Sequence, residues 1–239
     1  MKTLNPSSVI GHLVLAGTLA LAFGSVARAT TISIDATYNL NTVYTGSIPD
    51  GTAPWLSASF NASQGSESGI LTLTSNLTGS DFVQGLSSNK SALGWGFYLN
   101  SNIASVTCIS GNCANTVLSG GAYNSGPVPG IYNLAFGWNA QNRFTGADYA
   151  EYSLTFENAL GTNPFSLNTA GWVSVAHIQG IGDSGSCSGW IVSGNGEPQG
   201  GAQCGSTPPP NVPEPGVLGL FAFGLLLTSI AVIRRRPPV

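Results

Sequence analysis

The sequence predicts an all-β fold: an antiparallel β-sandwich, jelly-roll-like, preceded by an N-terminal signal peptide and followed by a single C-terminal transmembrane helix. Three observations carry the prediction. Between residues 30 and 207 apolar residues recur at every second position in short runs, and no stretch holds a 3.6-residue period. Gly- and Pro-rich turn signals punctuate the runs, among them Pro49-Asp50-Gly51, Gly79-Ser80-Asp81, Ser119-Gly120-Gly121, Pro127-Val128-Pro129-Gly130 and Gly180-Ile181-Gly182. Many short strands at close spacing pack as two facing sheets. A β-solenoid is the competing architecture, but no fixed repeat period supports it.

The first segment, 1–29, reads as a signal peptide. Lys2 gives a weakly positive start, and Val9 to Phe23 is apolar apart from His12 and Thr18. Ala27-Arg28-Ala29 fits the small-residue cleavage rule, so the mature chain is expected to start at Thr30. Strands follow. Thr31–Tyr38 alternates Ile32, Ile34 and Ala36 with Ser33, Asp35 and Thr37. Ile70–Leu77 is rich in Leu and Thr. Leu93–Leu99 places Trp95, Phe97 and Leu99 at period two, and Ile103–Ile109 continues in the same style. Ile131–Trp138 sets Tyr132, Leu134, Phe136 and Trp138 on one side, and Glu151–Glu157 does the same with Tyr152, Leu154 and Phe156. Trp172–Ile178 and a short Trp190–Val192 complete the expected domain, 30–207. From Ser193 glycine and then proline dominate, which reads as a disulfide-tied loop leading into a stiff stalk, 208–215.

Charge is sparse in the 30–207 segment: nine acids against two bases, Lys90 and Arg143, a formal charge of −7. No basic patch can form, which excludes nucleic acid as a partner. Solubility rests on Ser, Thr, Asn, Gln and Gly. The four cysteines, Cys108, Cys113, Cys187 and Cys204, all lie in the part expected to be exported. An even number in an oxidising compartment reads as disulfides. Of the three pairings, the local ones, Cys108–Cys113 and Cys187–Cys204, are favoured because each closes a loop that contains turn residues. On the loop-entropy model they contribute roughly 2 and roughly 3 kcal/mol. Zinc is the weaker reading, since neither pair has Cys-x-x-Cys spacing and His177 stands apart.

The C-terminus has three parts. Pro208-Pro209-Pro210-Asn211 leads into Val212-Pro213-Glu214-Pro215, then an uncharged apolar run over 216–233, then Arg234, Arg235 and Arg236 in the tail 234–239. Eighteen residues of helix span about 27 Å, enough to cross a bilayer core. The arginines stop transfer and stay on the cytoplasmic side. The prolines flanking Glu214 hold the preceding segment extended, in a form that a protease can grip. This ending resembles the PEP-CTERM sorting signal of Gram-negative bacteria, in which a Val-Pro-Glu-Pro motif, a short hydrophobic helix and an arginine cluster stand in this order. Pro237-Pro238-Val239 trails beyond the cluster, a departure from the pattern. The resemblance covers about an eighth of the chain. It implies recognition and processing by an exosortase, a membrane-embedded cysteine peptidase, at the outer face of the inner membrane. It also implies an association with exopolysaccharide, biofilm or floc formation. A plain type I membrane anchor with a proline-rich stalk is the alternative.

Candidate chemistry is thin. Gly182-Asp183-Ser184-Gly185 resembles the nucleophile motif of chymotrypsin-like proteases. His177, the one histidine of the mature domain, lies too close in sequence for that geometry, and Ser186 replaces an expected glycine. Glu151 and Glu157 fall on one strand about 20 Å apart, against the roughly 5–9 Å of glycosidase pairs. Asp35 or Asp81 could supply a cross-strand partner. Asp148 and Asp183 are loop acids without a calcium-loop pattern. Among Trp55, Trp95, Trp138, Trp172 and Trp190, only Trp190, set among glycines, is expected to be exposed enough to contact a glycan. Asn61-Ala62-Ser63 and Asn76-Leu77-Thr78 match the glycosylation sequon by coincidence. No metal or other cofactor is expected. The sequence therefore points to an exported, non-catalytic cell-surface or matrix protein, with a carbohydrate-binding module on the same anchor as the alternative.

Overall fold

Alternation of apolar with Ser, Thr and Asn side chains gives each strand one face to bury, and the chain folds as antiparallel sheets on that basis. The computed structural model describes residues 31–83, 85 and 94–205. The signal peptide, the stalk with its Val212–Pro215 motif, the apolar run 216–233 and Arg234–Arg236 lie outside the described residues. Among those described there is no helix, and so none long and apolar enough to cross a membrane.

One sheet has five strands: β1 (Ser33–Leu40), β3 (Leu56–Ser63), β4 (Ser68–Ser75), β10 (Tyr149–Phe156) and β7 (Ile103–Gly111), in that spatial order. The other runs β2 (Thr42–Gly46), β12 (Cys187–Gly194), β11 (Trp172–Ile181), β6 (Trp95–Phe97), β9 (Val128–Gly137) and β8 (Thr116–Ser125). Its seventh strand, β5 (Phe82–Val83), pairs β11 beyond the end of β6. Every strand pairing is antiparallel. The sheets face each other over a shared core. Leu56, Phe60, Leu71, Leu73, Tyr152 and Leu154 come from the first; Trp95, Phe97, Leu134, Phe136, Ala176 and Ile191 come from the second. Phe136 and Tyr152 meet across the interface at 4.6 Å between ring centroids. Phe165, from the β10–β11 connection, touches Phe60 of one sheet and Phe97 of the other.

Several boundaries differ from the sequence reading. β2, β3 and β8 were not expected as strands. Ser119-Gly120-Gly121 is not a turn. It sits within β8, where the register against β9 shifts between Ser119 and Tyr123. Glycine there lets the strand bulge without breaking it, and Gly120 takes φ +72°. The turn expected over Pro127–Gly130 is tighter, because Ser125 already pairs Val128 and the chain reverses at Gly126-Pro127. Gly180 and Ile181 belong to β11, next to a second register shift. β12 runs over eight residues rather than three. Glu157 falls just beyond the end of β10.

Both local disulfides form. Cys108–Cys113 pins the corner at which the chain passes from β7 to β8, with Cα atoms 6.1 Å apart. Cys187–Cys204 joins the start of β12 to the segment that follows it, at 5.9 Å. These separations lie in the normal range. The second bridge holds 199–202 along the free edge of β2. Gln199 N–H donates to the Tyr44 carbonyl at 2.8 Å, Ala202 N–H to Gly46 O at 3.0 Å, and Ile48 N–H to Ala202 O at 3.0 Å. An open sheet edge is thereby covered.

Candidate functional site

All five tryptophans are buried, with Trp55 6 %, Trp95 0 %, Trp138 1 %, Trp172 1 % and Trp190 8 % exposed. Trp190 therefore corrects the expectation of an exposed glycan platform. It lies opposite His177 across the β11–β12 pair, and the two rings stack with centroids 4.3 Å apart and planes 2° from parallel. Trp190 and Val192 alternate with Ile191, and Val175 and His177 with Ala176, so this group lies on the face turned away from the main core. There a second apolar cluster gathers Tyr44, Tyr132, Trp172, Val175, Trp190 and Val192. Glycine neighbours in sequence gave no information on this burial, because what covers the ring comes from distant parts of the chain.

His177 Nδ1 is buried without a hydrogen-bond partner, and burial pushes its pKa from 6.5 down to about 4. Gly182–Gly185 is a turn closed by a Gly185 N–H to Gly182 O bond of 2.8 Å. Ser184 Oγ lies 2.7 Å from Ser186 Oγ, while His177 stacks on Trp190, so the triad-like string does not assemble. Glu157, Asp35 and Asp148, also singled out in the sequence, have local structural partners. Glu157 accepts from Asn102 Nδ2 at 2.9 Å. Asp35 accepts from Ser33 and Asn61. Asp148 Oδ2 accepts from Thr145 N–H at 2.7 Å, Thr145 Oγ1 at 3.0 Å and Asn112 Nδ2 at 3.1 Å, closing its own turn. Asp183 is exposed.

Among the described residues, a concavity that was not visible in the sequence lies at the β5 end of the seven-stranded sheet. It encloses about 340 Å³ and is lined by Phe82, Gly85, Asn115, Thr116, Gly137, Trp138, Asn139, Ala140, Arg143 and Gln179. Pairing of β5 with β11 brings Phe82 opposite Gln179, and the loop after β9 carries Asn139 and Arg143 over them. The Arg143 guanidinium sits 4.0 Å above the Phe82 ring, held by cation–π attraction rather than by an acid. Asn139 Oδ1 accepts from the Gln141 and Asn142 amides at 3.1 and 2.9 Å and fixes that loop. Trp138 donates its indole N–H to Asn112 O at 2.8 Å and forms the floor. A guanidinium with Asn and Gln amides around it can hold an anionic or hydroxyl-rich ligand.

Directly behind Phe82 lies Asp81, 1 % exposed. Its Oδ2 accepts the Asp50 N–H at 2.8 Å, and its Oδ1 has no partner. Burial first, and then the neighbouring Asp50 charge, push its pKa from 3.8 up to about 6, against the lowering effect of the Asp50 backbone bond. Asp50 in turn accepts the Gly182 N–H at 3.3 Å. Three loops, around residues 50, 80 and 182, thus meet at two carboxylates. Among the described residues no three His, Cys, Asp or Glu side chains gather into a metal-binding group. No protein-family model, curated protein or solved structure matches this chain.

Proposed function

We propose that this chain is an exported, non-catalytic cell-surface or extracellular-matrix protein, anchored in the inner membrane by its C-terminal helix and then processed at Val212–Pro215 by an exosortase. In this reading residues 1–29 are removed as a signal peptide, the sandwich is jelly-roll-like, and the mature protein serves an exopolysaccharide or biofilm matrix. The observation that carries the reading is the covalent fastening of the C-terminal segment. Cys204 stands four residues before Pro208 and is bonded to the start of β12. A pull transmitted through the Pro-rich stalk enters the sheet through that bond rather than through the fraying end of the chain. Closed disulfides fit a domain that lives in an oxidising compartment. Replacement of Val212-Pro213-Glu214-Pro215 by four alanines tests the sorting step. An immunoblot should show loss of the processed form, and unchanged processing would sink the proposal.

A carbohydrate-binding role on the same anchor is the second reading, and the Arg143 groove favours it. Binding then depends on Arg143 and not on Trp190. On a glycan array, Arg143→Ala should abolish the signal for any saccharide that the intact protein retains. Equal binding by wild type and Arg143→Ala would remove the groove from consideration.

A further inference from the structure

We infer that the Asp50 and Asp81 carboxylates form a calcium-binding site at the loop end of the sandwich. Asp81 Oδ1 is buried without a hydrogen-bond partner, and no base among the described residues balances it, while its Oδ2 is already engaged by the Asp50 N–H. An ionised carboxylate in that position is costly unless a cation or a proton completes it. A second carboxylate, Asp50, is held beside it by the Gly182 N–H, so the local charge is that of two acids. No basic side chain among the described residues pairs with either acid. Hard oxygen donors that do not need to be deprotonated stand close by. The Thr78 hydroxyl lies 2.8 Å from where a Cβ on Gly51 would stand, and the Thr78 carbonyl accepts the Asp81 N–H at 3.3 Å. Residues 78–80 are exposed, so the two carboxylates lie next to solvent.

Calcium fits these groups better than magnesium does. It accepts six to eight oxygen ligands in irregular arrangements, whereas magnesium demands a near-ideal octahedron and dehydrates reluctantly. With only two carboxylates the expected affinity is that of extracellular modules, a Kd on the order of 10⁻⁴–10⁻³ M. A bound ion would add to the bonds that already join the three loops, the two backbone–carboxylate bonds and the Ser80 Oγ to Gly180 O bond, beside the turn that precedes the Cys187–Cys204 bridge.

The test uses the full chain, purified in detergent and stripped with EDTA. Calorimetric titration with calcium chloride should give one site per chain, and calcium should raise the unfolding temperature more than magnesium at the same concentration. Asp81→Asn and Asp50→Asn keep an acceptor for their backbone donors and should each weaken binding by roughly tenfold or more. Glu67→Gln, at an exposed acid in the β3–β4 connection, should bind as the wild type does. Should Asp81→Asn fail to fold, the half-exposed Asp50 still provides the decisive variant. Absence of saturable binding up to about 10 mM calcium, a concentration above the extracellular-module range, would overturn the assignment. Wild-type affinity in both Asp→Asn variants would overturn it as well. So would an unfolding temperature that moves with pH but not with calcium, which would give the orphan oxygen a proton instead.

Discussion

His177 shows how one residue sets a response to pH. Its folded pKa of about 4 lies below the ordinary 6.5 because burial penalises the imidazolium. Between those values the unfolded chain binds the proton more readily than the folded one, so stability is lost as pH falls from 6.5 towards 4. The shift sets a ceiling of about 3 kcal/mol on that loss. Asp81 acts with the opposite sign: its pKa rises from 3.8 to about 6, so the folded state gains protons across nearly the same window. For these two groups the contributions oppose each other. Comparison with His177→Gln isolates the histidine, since Asp81 is common to both proteins. In EDTA-containing buffer, chemical denaturation of His177→Gln should lose less stability than the wild type between pH 6.5 and pH 4. A parallel pair of curves would show that burial does not keep the ring neutral.

At the scale of elements, the segment after β12 behaves as an edge cover held by one covalent bond. The Gln199 and Ala202 N–H groups donate to β2 and the Ile48 N–H donates to Ala202 O, and Cys187–Cys204 adds the covalent tie. Removing the bridge through Cys187→Ser and Cys204→Ser should cost roughly 3 kcal/mol on the loop-entropy model. Amide hydrogen exchange should speed up first at Ile48 and Ala202, while β3 and β4 keep their protection. Uniform acceleration through both sheets would mean that the bridge supports the whole fold and not this edge alone. Gly189 explains why the edge seats so closely: a Cβ there would lie 2.0 Å from the Ser47 carbonyl oxygen. Only glycine admits that approach of β12 to β2.

For the whole molecule, export and redox state are linked. All four cysteines are bonded, and none among the described residues is free. If residues 30–215 reach the periplasm, alkylation without reductant should label no thiol, and peptide mapping should recover Cys108–Cys113 and Cys187–Cys204. Free thiols at all four positions in the mature protein would place it in a reducing compartment. The sequence by itself determined the fold class, because side-chain alternation at period two is a local property of each strand and survives without knowledge of its neighbours. It also favoured, among three possible pairings, the local disulfides that form, because each closes a loop with turn residues inside it. It did not mark β3 or β8 as strands, since Ser, Ala and Gly fill positions where bulkier residues mark a strand. Pairing alone makes Leu56, Ala58, Phe60 and Ala62 one buried stripe. Tertiary structure also decided which aromatics are accessible. Trp190 is covered on a second face, and the Arg143 groove joins residues from β5, β9, β11 and the loop after β7. The meeting of Asp50 with Asp81 has the same origin. Burial, like-charge proximity and an orphaned oxygen arise only when distant loops converge, and no local pattern of residues records that convergence.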